Sequence, residues 1–593
     1  MPDVTSAAPA TLDDDPRAAV DAPVDGAGDA TDDASREHRS LRRRLRWPAF
    51  TAFVLQLMLV LGDRIPSVDS MSYFETGRNF VNGNGYTRSG APEMHFPPVA
   101  PVSLGLLEKL SGNEMFAMRS WELAWGLAAV ALLTTIGWFL SRDDDVTVAT
   151  AWIATLVPGV ITLAIRAGSG SELPTAVLLM SSALVVLVGL DPKVQRSTTK
   201  RMLWLVGAGS LVGLAYLTRP EALIPGAIVG VSVLLFAMRD TTRTWTQRFA
   251  TMIRYGAAFG FACLLFIAPY VVYTHSNSGA WSLTSKTKDA SIDAWRAVAQ
   301  NDRLERDQIL YSIQPDGVTL GPETRSLTKI AREHPRMWLT IAWINSTTIF
   351  HDYVGTPWRD GPVWELIPLF LTIPALAQIW KTRKRGSTLL FAALGAAPLM
   401  TCFLFFTLPR YLIMTTAVIT VFGAWGLVEW TNRLTLGKRR LAWWIMGALM
   451  VLSFVVASWS LRPFTDTPER TEQRTAGLWI AENTPKDSRV MTRSFHVQGY
   501  SKRDVVAMPS AEYRSMLEFA RRMGVTYIVA DEGTIRRRRP EVYDILMRET
   551  GAPAGLKLVH EFTERGVRVK IYKLDPPAPP TLQPPLPLGY VSD

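Results

Sequence analysis

Ser171-Glu172-Leu173-Pro174-Thr175-Ala176-Val177-Leu178-Leu179-Met180-Ser181-Ser182-Ala183-Leu184-Val185-Val186-Leu187-Val188-Gly189-Leu190 carries one charge, Glu172, and that charge is in its first turn. A run of about 20 predominantly apolar residues matches the hydrocarbon core of a bilayer when it is helical. It is too long for a strand, and a helix apolar on every side belongs in a membrane or a large core. Ten further stretches of this kind are found outward from it, at 47–62, 116–140, 146–165, 202–218, 222–238, 254–274, 362–380, 387–407, 410–430 and 441–461. The first opens on Trp47-Pro48, and proline is tolerated in a first helical turn because its missing N–H would have had no partner there. The fold expected is therefore a polytopic α-helical membrane protein with about eleven transmembrane helices.

The composition agrees. The 593 residues are 48% hydrophobic and 20% charged, with 20 Trp. A mean hydropathy of only +0.11 reflects polar termini around a very apolar middle. This excludes a soluble enzyme, a disulfide scaffold and a coiled coil. The two cysteines, Cys263 and Cys402, both lie in apolar segments and form no framework. Net charge is +10. A basic balance can signal nucleic acid, but here the positive residues sit at the ends of apolar runs, so no nucleic-acid partner is expected and membrane topology explains them.

Arg42, Arg43, Arg44 and Arg46 precede the first span and place the N-terminus in the cytoplasm. Alternate connections are basic: Lys193 to Arg201, Arg239 to Arg248, Lys381 to Arg385 and Arg433 to Arg440. The one exception is 141–145, where three aspartates outnumber Arg142. The stretch 337–353 is apolar, yet a span there would break the charge pattern, so it reads as interfacial or re-entrant. Residues 63–115, 275–361 and 462–593 then fall on the outer side of the cytoplasmic membrane.

Four regions result: a cytoplasmic tail at 1–45, acidic through residue 38 and expected to be disordered; a membrane domain at 46–462; an extracytoplasmic α/β domain at 463–575; and a Pro-rich tail at 576–593. In the α/β domain the patterns predict helices at 468–482, 511–523 and 540–548. They predict strands at 488–492, 503–507, 525–530, 557–562 and 567–573. It has no Gly-rich phosphate loop.

Candidate site residues gather on the outer side. Asp69, in Val68-Asp69-Ser70-Met71-Ser72-Tyr73, lies just beyond span one. A carboxylate at a membrane boundary is partly desolvated and suits a general base; the plainer reading is an N-cap for a helix at 70–81. Glu172 is a second carboxylate on the same side, and it also suits a helix N-terminus. Arg219 and Glu221 lie in Leu217-Thr218-Arg219-Pro220-Glu221, Arg410-Tyr411 opens a later span, and Lys286 is in the second outer loop. Guanidinium groups present a fork of donors that fits a lipid-linked phosphate, although an Arg at the membrane edge can simply snorkel. Glu93 and His95 occur in Glu93-Met94-His95-Phe96-Pro97-Pro98. His95 and His275 do not make a metal site; no cofactor is indicated, and a divalent metal finds no support.

These segments, in this order, resemble the GT-C superfamily of integral-membrane glycosyltransferases. The pattern is nearest to glycosyltransferase family 39 and its bacterial relatives, which include protein O-mannosyltransferases and lipid A aminoarabinose transferases. The matching pieces are residues 69–73, Gly83-Asn84-Gly85-Tyr86, residues 96–101, Ser171-Glu172, residues 217–221, residues 279–286, Arg410-Tyr411 and, in the α/β domain, residues 476–485. The resemblance implies an inverting transfer, on the outer face, of a sugar from a polyprenyl-phosphate donor to a hydroxyl of a glycan, lipid or protein acceptor. Mannose, an arabinose or another pentose would fit equally. It implies Asp69 as general base and, less specifically, Glu172 at a second acidic position. The substrate-binding set is Tyr73, Glu93, His95, Arg219, Glu221, Lys286, Arg410 and Tyr411. Many members carry two adjacent acidic residues in the first loop, whereas Asp69 is followed here by Ser70.

Two other readings compete. A lipid-linked sugar transporter or flippase would place ionisable groups near the bilayer midplane, whereas the charges here are mostly at span ends. A cell-envelope scaffold would use the α/β domain to bind glycan.

Overall fold

The computed structural model describes residues 26–61, 68–88, 91–156, 170–191, 194, 196–239, 242–279, 281–283, 303–321, 332–354, 369–404, 409–461 and 470–575. The described residues through Trp47 form one compact unit, and those from Pro48 onward form another.

Helix α1 (Gly26–Leu61) starts well before the first apolar run. The expected disordered tail is therefore helical from Gly26.

The membrane body follows as α2 (Val68–Val81), a short hairpin of β1 (Thr87–Arg88) and β2 (Ala91–Pro92), α3 (Val99–Ser111), α4 (Glu114–Ser141), α5 (Asp144–Leu156), α6 (Glu172–Gly189), α7 (Thr198–Thr218), α8 (Leu223–Met238) and α9 (Trp245–Ser278). After α10 (Arg303–Leu310) come α11 (Pro335–Val354), α12 (Leu369–Thr382), α13 (Gly386–Leu404), α14 (Ile413–Asn432) and α15 (Leu436–Leu461). Local chemistry sets several ends. Asn113 accepts from the Phe116 N–H at 3.0 Å to start α4. Thr244 and Gln247 form a reciprocal capping box at the start of α9.

Seven helices among the described residues are long and apolar enough to cross a membrane: Glu114–Ser141, Glu172–Gly189, Thr198–Thr218, Pro220–Met238, Trp245–Ser278, Gly386–Phe403 and Ile413–Asn432. The other four predicted spans coincide with α1, α5, α12 and α15, helical in their described parts. The stretch 337–353 is one unbroken helix, α11, packed on α13. Helices α6 and α14 are buried on nearly all sides, as their uniform apolarity requires. Peripheral helices turn apolar side chains outward: Phe261, Leu264 and Leu265 of α9 are 70%, 60% and 62% exposed. A continuous apolar exterior is stable in lipid and not in water.

At one end of the bundle Arg439 meets Asp145 at 3.3 Å, Arg385 donates to the Leu140 carbonyl at 3.5 Å, and Lys381 pairs with Glu429. The acidic connection 141–145, which looked exceptional by charge, thus lies with the basic connections, and its Asp145 supplies the counter-charge to Arg439.

At the other end α2 crosses α3 at Gly77 and Gly105. A Cβ on Gly77 would come within 2.1 Å of the Pro101 carbonyl oxygen and 2.9 Å of Gly105 Cα. Backbone atoms cannot move aside as a flexible side chain can, so Gly77→Val is expected to cost about 1–3 kcal/mol. A lowered melting temperature in detergent would register it; an unchanged one would mean that the crossing is not close.

The C-terminal domain comprises α16 (Thr471–Asn483), β3 (Arg489–Thr492), α17 (Phe495–Ser501), β4 (Asp504–Ala507), α18 (Tyr513–Arg522), β5 (Tyr527–Asp531), α19 (Glu532–Arg538), α20 (Pro540–Leu546), β6 (Leu556–Glu564) and β7 (Val567–Leu574). The sheet order is β4-β3-β5-β7-β6, with the first three parallel and the last two antiparallel. Alternation along the strands feeds two cores. Val490, Val505 and Val529 pack on α16 and α17, while Met491, Val506 and Ile528 pack on α18 and α20. The predicted elements fall within a few residues of the observed ones. The short helices α17 and α19 were not foreseen, because seven residues carry too little periodicity to reveal a helix.

Candidate active site

Helix α2 brings Asp69 and Tyr73 together, four residues apart and so on one face. The helix begins at Val68, so Asp69 lies inside the first turn and does not cap a helix starting at 70. Asp69 is 8% exposed. The Tyr73 hydroxyl donates to Ser171 Oγ at 3.1 Å. Burial, followed by the nearby Asp69 and Glu172 carboxylates, pushes the Tyr73 phenol far above its ordinary range. Tyr73 is therefore a neutral donor at any physiological pH and cannot act as a base.

Arg219 is the hub. It follows α7 in an extended conformation, φ −151° and ψ 129°, which is the conformation that a following proline favours. The turn at Pro220 directs its side chain into the bundle end. Its Nη1 donates to Ser171 Oγ at 3.2 Å and forms a buried ion pair with Glu172. Its Nε lies 3.5 Å from Glu221 Oε2, and its guanidinium carbon lies 5.0 Å from the centre of the Tyr411 ring. Among the described residues Nη2 has no hydrogen-bond partner. Trp121 of α4 steadies the loop before Glu172, donating to the Gly170 carbonyl at 2.7 Å. With the buried Glu122, Trp121 also lines a small hollow beside Ser171 and Glu172.

A second group adjoins the first. Glu93 forms a buried ion pair with Arg88, and its other oxygen accepts from the backbone N–H groups of His95 at 2.6 Å and Phe96 at 3.1 Å. Glu93 thereby ties the hairpin to the chain after it. The Phe96 ring stands edge-on to Tyr73, with ring centres 4.8 Å apart, and His95 packs on Phe96. Three tyrosines hold this loop through main-chain carbonyls: Tyr86 to Phe96 at 2.6 Å, Tyr270 to Met94 at 3.0 Å and Tyr273 to Tyr86 at 2.6 Å. Arg88→Met should leave Glu93 buried without its cation and cost about 3–5 kcal/mol. Loss of folded protein in detergent would be the measured result, and a wild-type melt would show that the pair is dispensable.

The structure thus brings Tyr73, Glu172, Arg219, Glu221 and Tyr411 into one cluster with Asp69, and sets Glu93 and His95 beside it. Lys286 lies outside the described residues. Arg410 precedes Tyr411 in the turn Pro409–Leu412, and its side chain lies outside the description too. Sequence reasoning did not single out Ser171 as the shared acceptor, nor Arg88, Tyr270 and Tyr273. The two tyrosines had a signal, three residues apart at the end of an apolar helix. Arg88 had none, because its partner is set by the hairpin. Among the described residues no group of three or more His, Cys, Asp or Glu side chains is arranged to hold a metal ion.

The helical membrane body, with this cluster at one end and a sheet domain following it, defines a mostly helical multi-pass membrane protein with a C-terminal α/β domain. Solved structures with a similar fold include an oligosaccharyltransferase from Archaeoglobus fulgidus in complex with Zn and sulfate, at 13% identity and TM-score 0.53, the match covering 82% of this chain and 68% of that one. ArnT from Cupriavidus metallidurans bound to undecaprenyl phosphate matches at 12% identity and TM-score 0.53, over 90% of this chain and 98% of that one. Its apo state matches at 13% identity and TM-score 0.51, over 89% and 97%. No protein-family model and no curated protein sequence matches the chain.

Proposed function

We propose that this protein is an integral-membrane inverting glycosyltransferase, which moves a sugar from a polyprenyl-phosphate donor to an acceptor hydroxyl at the outer face of the cytoplasmic membrane. The reading rests chiefly on the convergence of Asp69, Tyr73, Ser171, Glu172, Arg219 and Tyr411, drawn from four distant chain segments, at one buried end of the bundle. The fold shared with ArnT, crystallised with undecaprenyl phosphate, supports the same donor class.

In the proposed reaction Asp69 takes the acceptor's hydroxyl proton as the acceptor oxygen attacks the anomeric carbon from the side opposite the phosphate. The bond from that carbon to the phosphate oxygen breaks, and the electron pair leaves with the polyprenyl phosphate. One displacement inverts the anomeric centre. Charge grows on the leaving phosphate, where preorganised donors are most effective. Arg219 suits this role: Glu172, Ser171 and Glu221 fix its plane, and Nη2 remains for the phosphate. Arg410 and Lys286 would add positive charge. Glu172, committed to Arg219, serves as an orienting carboxylate in this scheme and not as a second base.

The test uses the full chain in liposomes with a panel of radiolabelled polyprenyl-phosphate sugars and envelope extract as acceptor. Transfer of one sugar with inverted configuration and release of polyprenyl phosphate is expected. Movement of intact donor across the bilayer without transfer would overturn the reading in favour of a transporter.

A further inference from the structure

In the C-terminal sheet the chain runs β3, α17, β4 on one face and then β4, α18, β5 on the other. The winding reverses at β3, which opens a crevice beyond the carboxyl ends of β3 and β5. Open α/β sheets bind their ligands at such a point. Arg493 and Ser494 follow β3 there, Met508 follows β4, and Asp531 ends β5.

The crevice is filled by the chain itself. Asp307 of α10, 3% exposed, pairs with Arg493 and with the fully buried Arg539, and lies 3.5 Å from Arg538. Arg539 also donates to the Met508 carbonyl at 3.0 and 2.7 Å. Tyr311, one turn after Asp307, lies under both guanidinium groups, 4.4 Å from Arg493 and 5.2 Å from Arg539. The Ser510 N–H closes the contact on the Tyr311 carbonyl at 2.9 Å. Burial alone would raise the Asp307 carboxyl, but Arg493 and Arg539 outweigh it and hold it below the usual carboxylate range.

One side of this clamp touches α2, and the other shares an apolar cluster with it. Tyr311 belongs to the same apolar cluster as Tyr73 and Phe74. Helix α17, which leaves the crevice directly, lies on α2: a Cβ on Gly499 would come within 2.3 Å of Met71 Sδ and 3.1 Å of Met71 Cβ. Gln498 Nε2 donates to Glu75 Oε2 at 2.8 Å. Met71 and Glu75 are within two turns of Asp69.

We infer that the C-terminal domain is a positioning device for the proposed base: its crevice grips Asp307 and Tyr311 as an internal ligand, and α17 with α10 thereby holds α2 and Asp69 in register with Arg219. Asp307, Arg493 and Gly499 are positioning residues. The inference rests on the role proposed for Asp69. It also gives the domain a task other than capture of free glycan, since the crevice where a ligand would sit is occupied.

The test compares the wild-type full chain in liposomes with Asp307→Asn and Gly499→Val, scoring kcat and donor KM separately, beside melting curves. A base displaced by about 1 Å costs roughly 10²-fold in rate, so kcat should fall tenfold to a hundredfold while donor KM stays within about twofold. A second measurement does not depend on activity. Glu75→Cys with Gln498→Cys is joined by a short bifunctional thiol reagent, and adding Asp307→Asn should slow that joining several-fold. Folded variants with wild-type kcat, or with raised KM alone, would overturn the inference. If Asp69→Asn proves fully active, the base assignment fails by itself. The cross-linking rate then decides the clamp, and an unchanged rate would reject it.

Discussion

Asp69→Asn is expected to abolish sugar transfer, lowering kcat by about 10²–10⁴-fold, the range over which a positioned general base acts. Asparagine has the size of aspartate and keeps an acceptor oxygen in the first turn of α2, so the helix should form as before. What it loses is the ability to take a proton. Donor binding should change little, because the phosphate contacts proposed here belong to Arg219. Tyr73 cannot substitute, since burial and its carboxylate neighbours keep its proton bound. Glu172 cannot substitute without breaking its ion pair with Arg219. Single-turnover transfer, with folding checked by melting, is the measurement. Wild-type turnover in a folded Asp69→Asn protein would remove Asp69 from the reaction.

The second large effect is expected at Arg219. Arg219→Lys keeps a positive charge but replaces a planar fork with a single ammonium. Arg219 reaches Ser171, Glu172 and Glu221 while its plane approaches the Tyr411 ring, and lysine cannot satisfy all of these and still reach a phosphate. kcat/KM for donor should fall by about 10²-fold, the scale for loss of one transition-state donor. Arg219→Ala should also damage the fold, because Glu172 would stay buried without its counter-charge at a cost of about 3–5 kcal/mol. Adding Glu172→Gln removes that stranded charge. The double variant should therefore melt near wild type and remain inactive, which separates the structural part of Arg219 from its chemical part. Recovery of transfer in the double variant would show that Arg219 only balances Glu172.

Much of the architecture was legible because hydrophobic length and period report directly on helices in lipid and on buried strands. The run at 171–190 appears as α6, and the short apolar run around Val525 to Ala530 appears as the fully buried strand β5. The candidate residues were legible singly, as carboxylates and arginines at span ends. Their relations were not. Nothing in the spacing of Ser171, Arg219 and Tyr411 says that they share one hub, because each pairing is long-range. The acidic turn 141–145 looked like an exception until Arg439, almost 300 positions later, proved to be its partner.

The sequence by itself determined that this chain is helical, spans a membrane repeatedly and carries a sheet domain near its C-terminus, since these follow from local apolarity and periodicity. Only the tertiary structure decided that Glu172 belongs to Arg219, that Glu93 belongs to Arg88, and that Asp307 fills the crevice of the sheet domain. Each of these is a buried charge that must find an opposite charge on removal from water. Which one it finds depends on how the helices and the sheet domain come together in three dimensions.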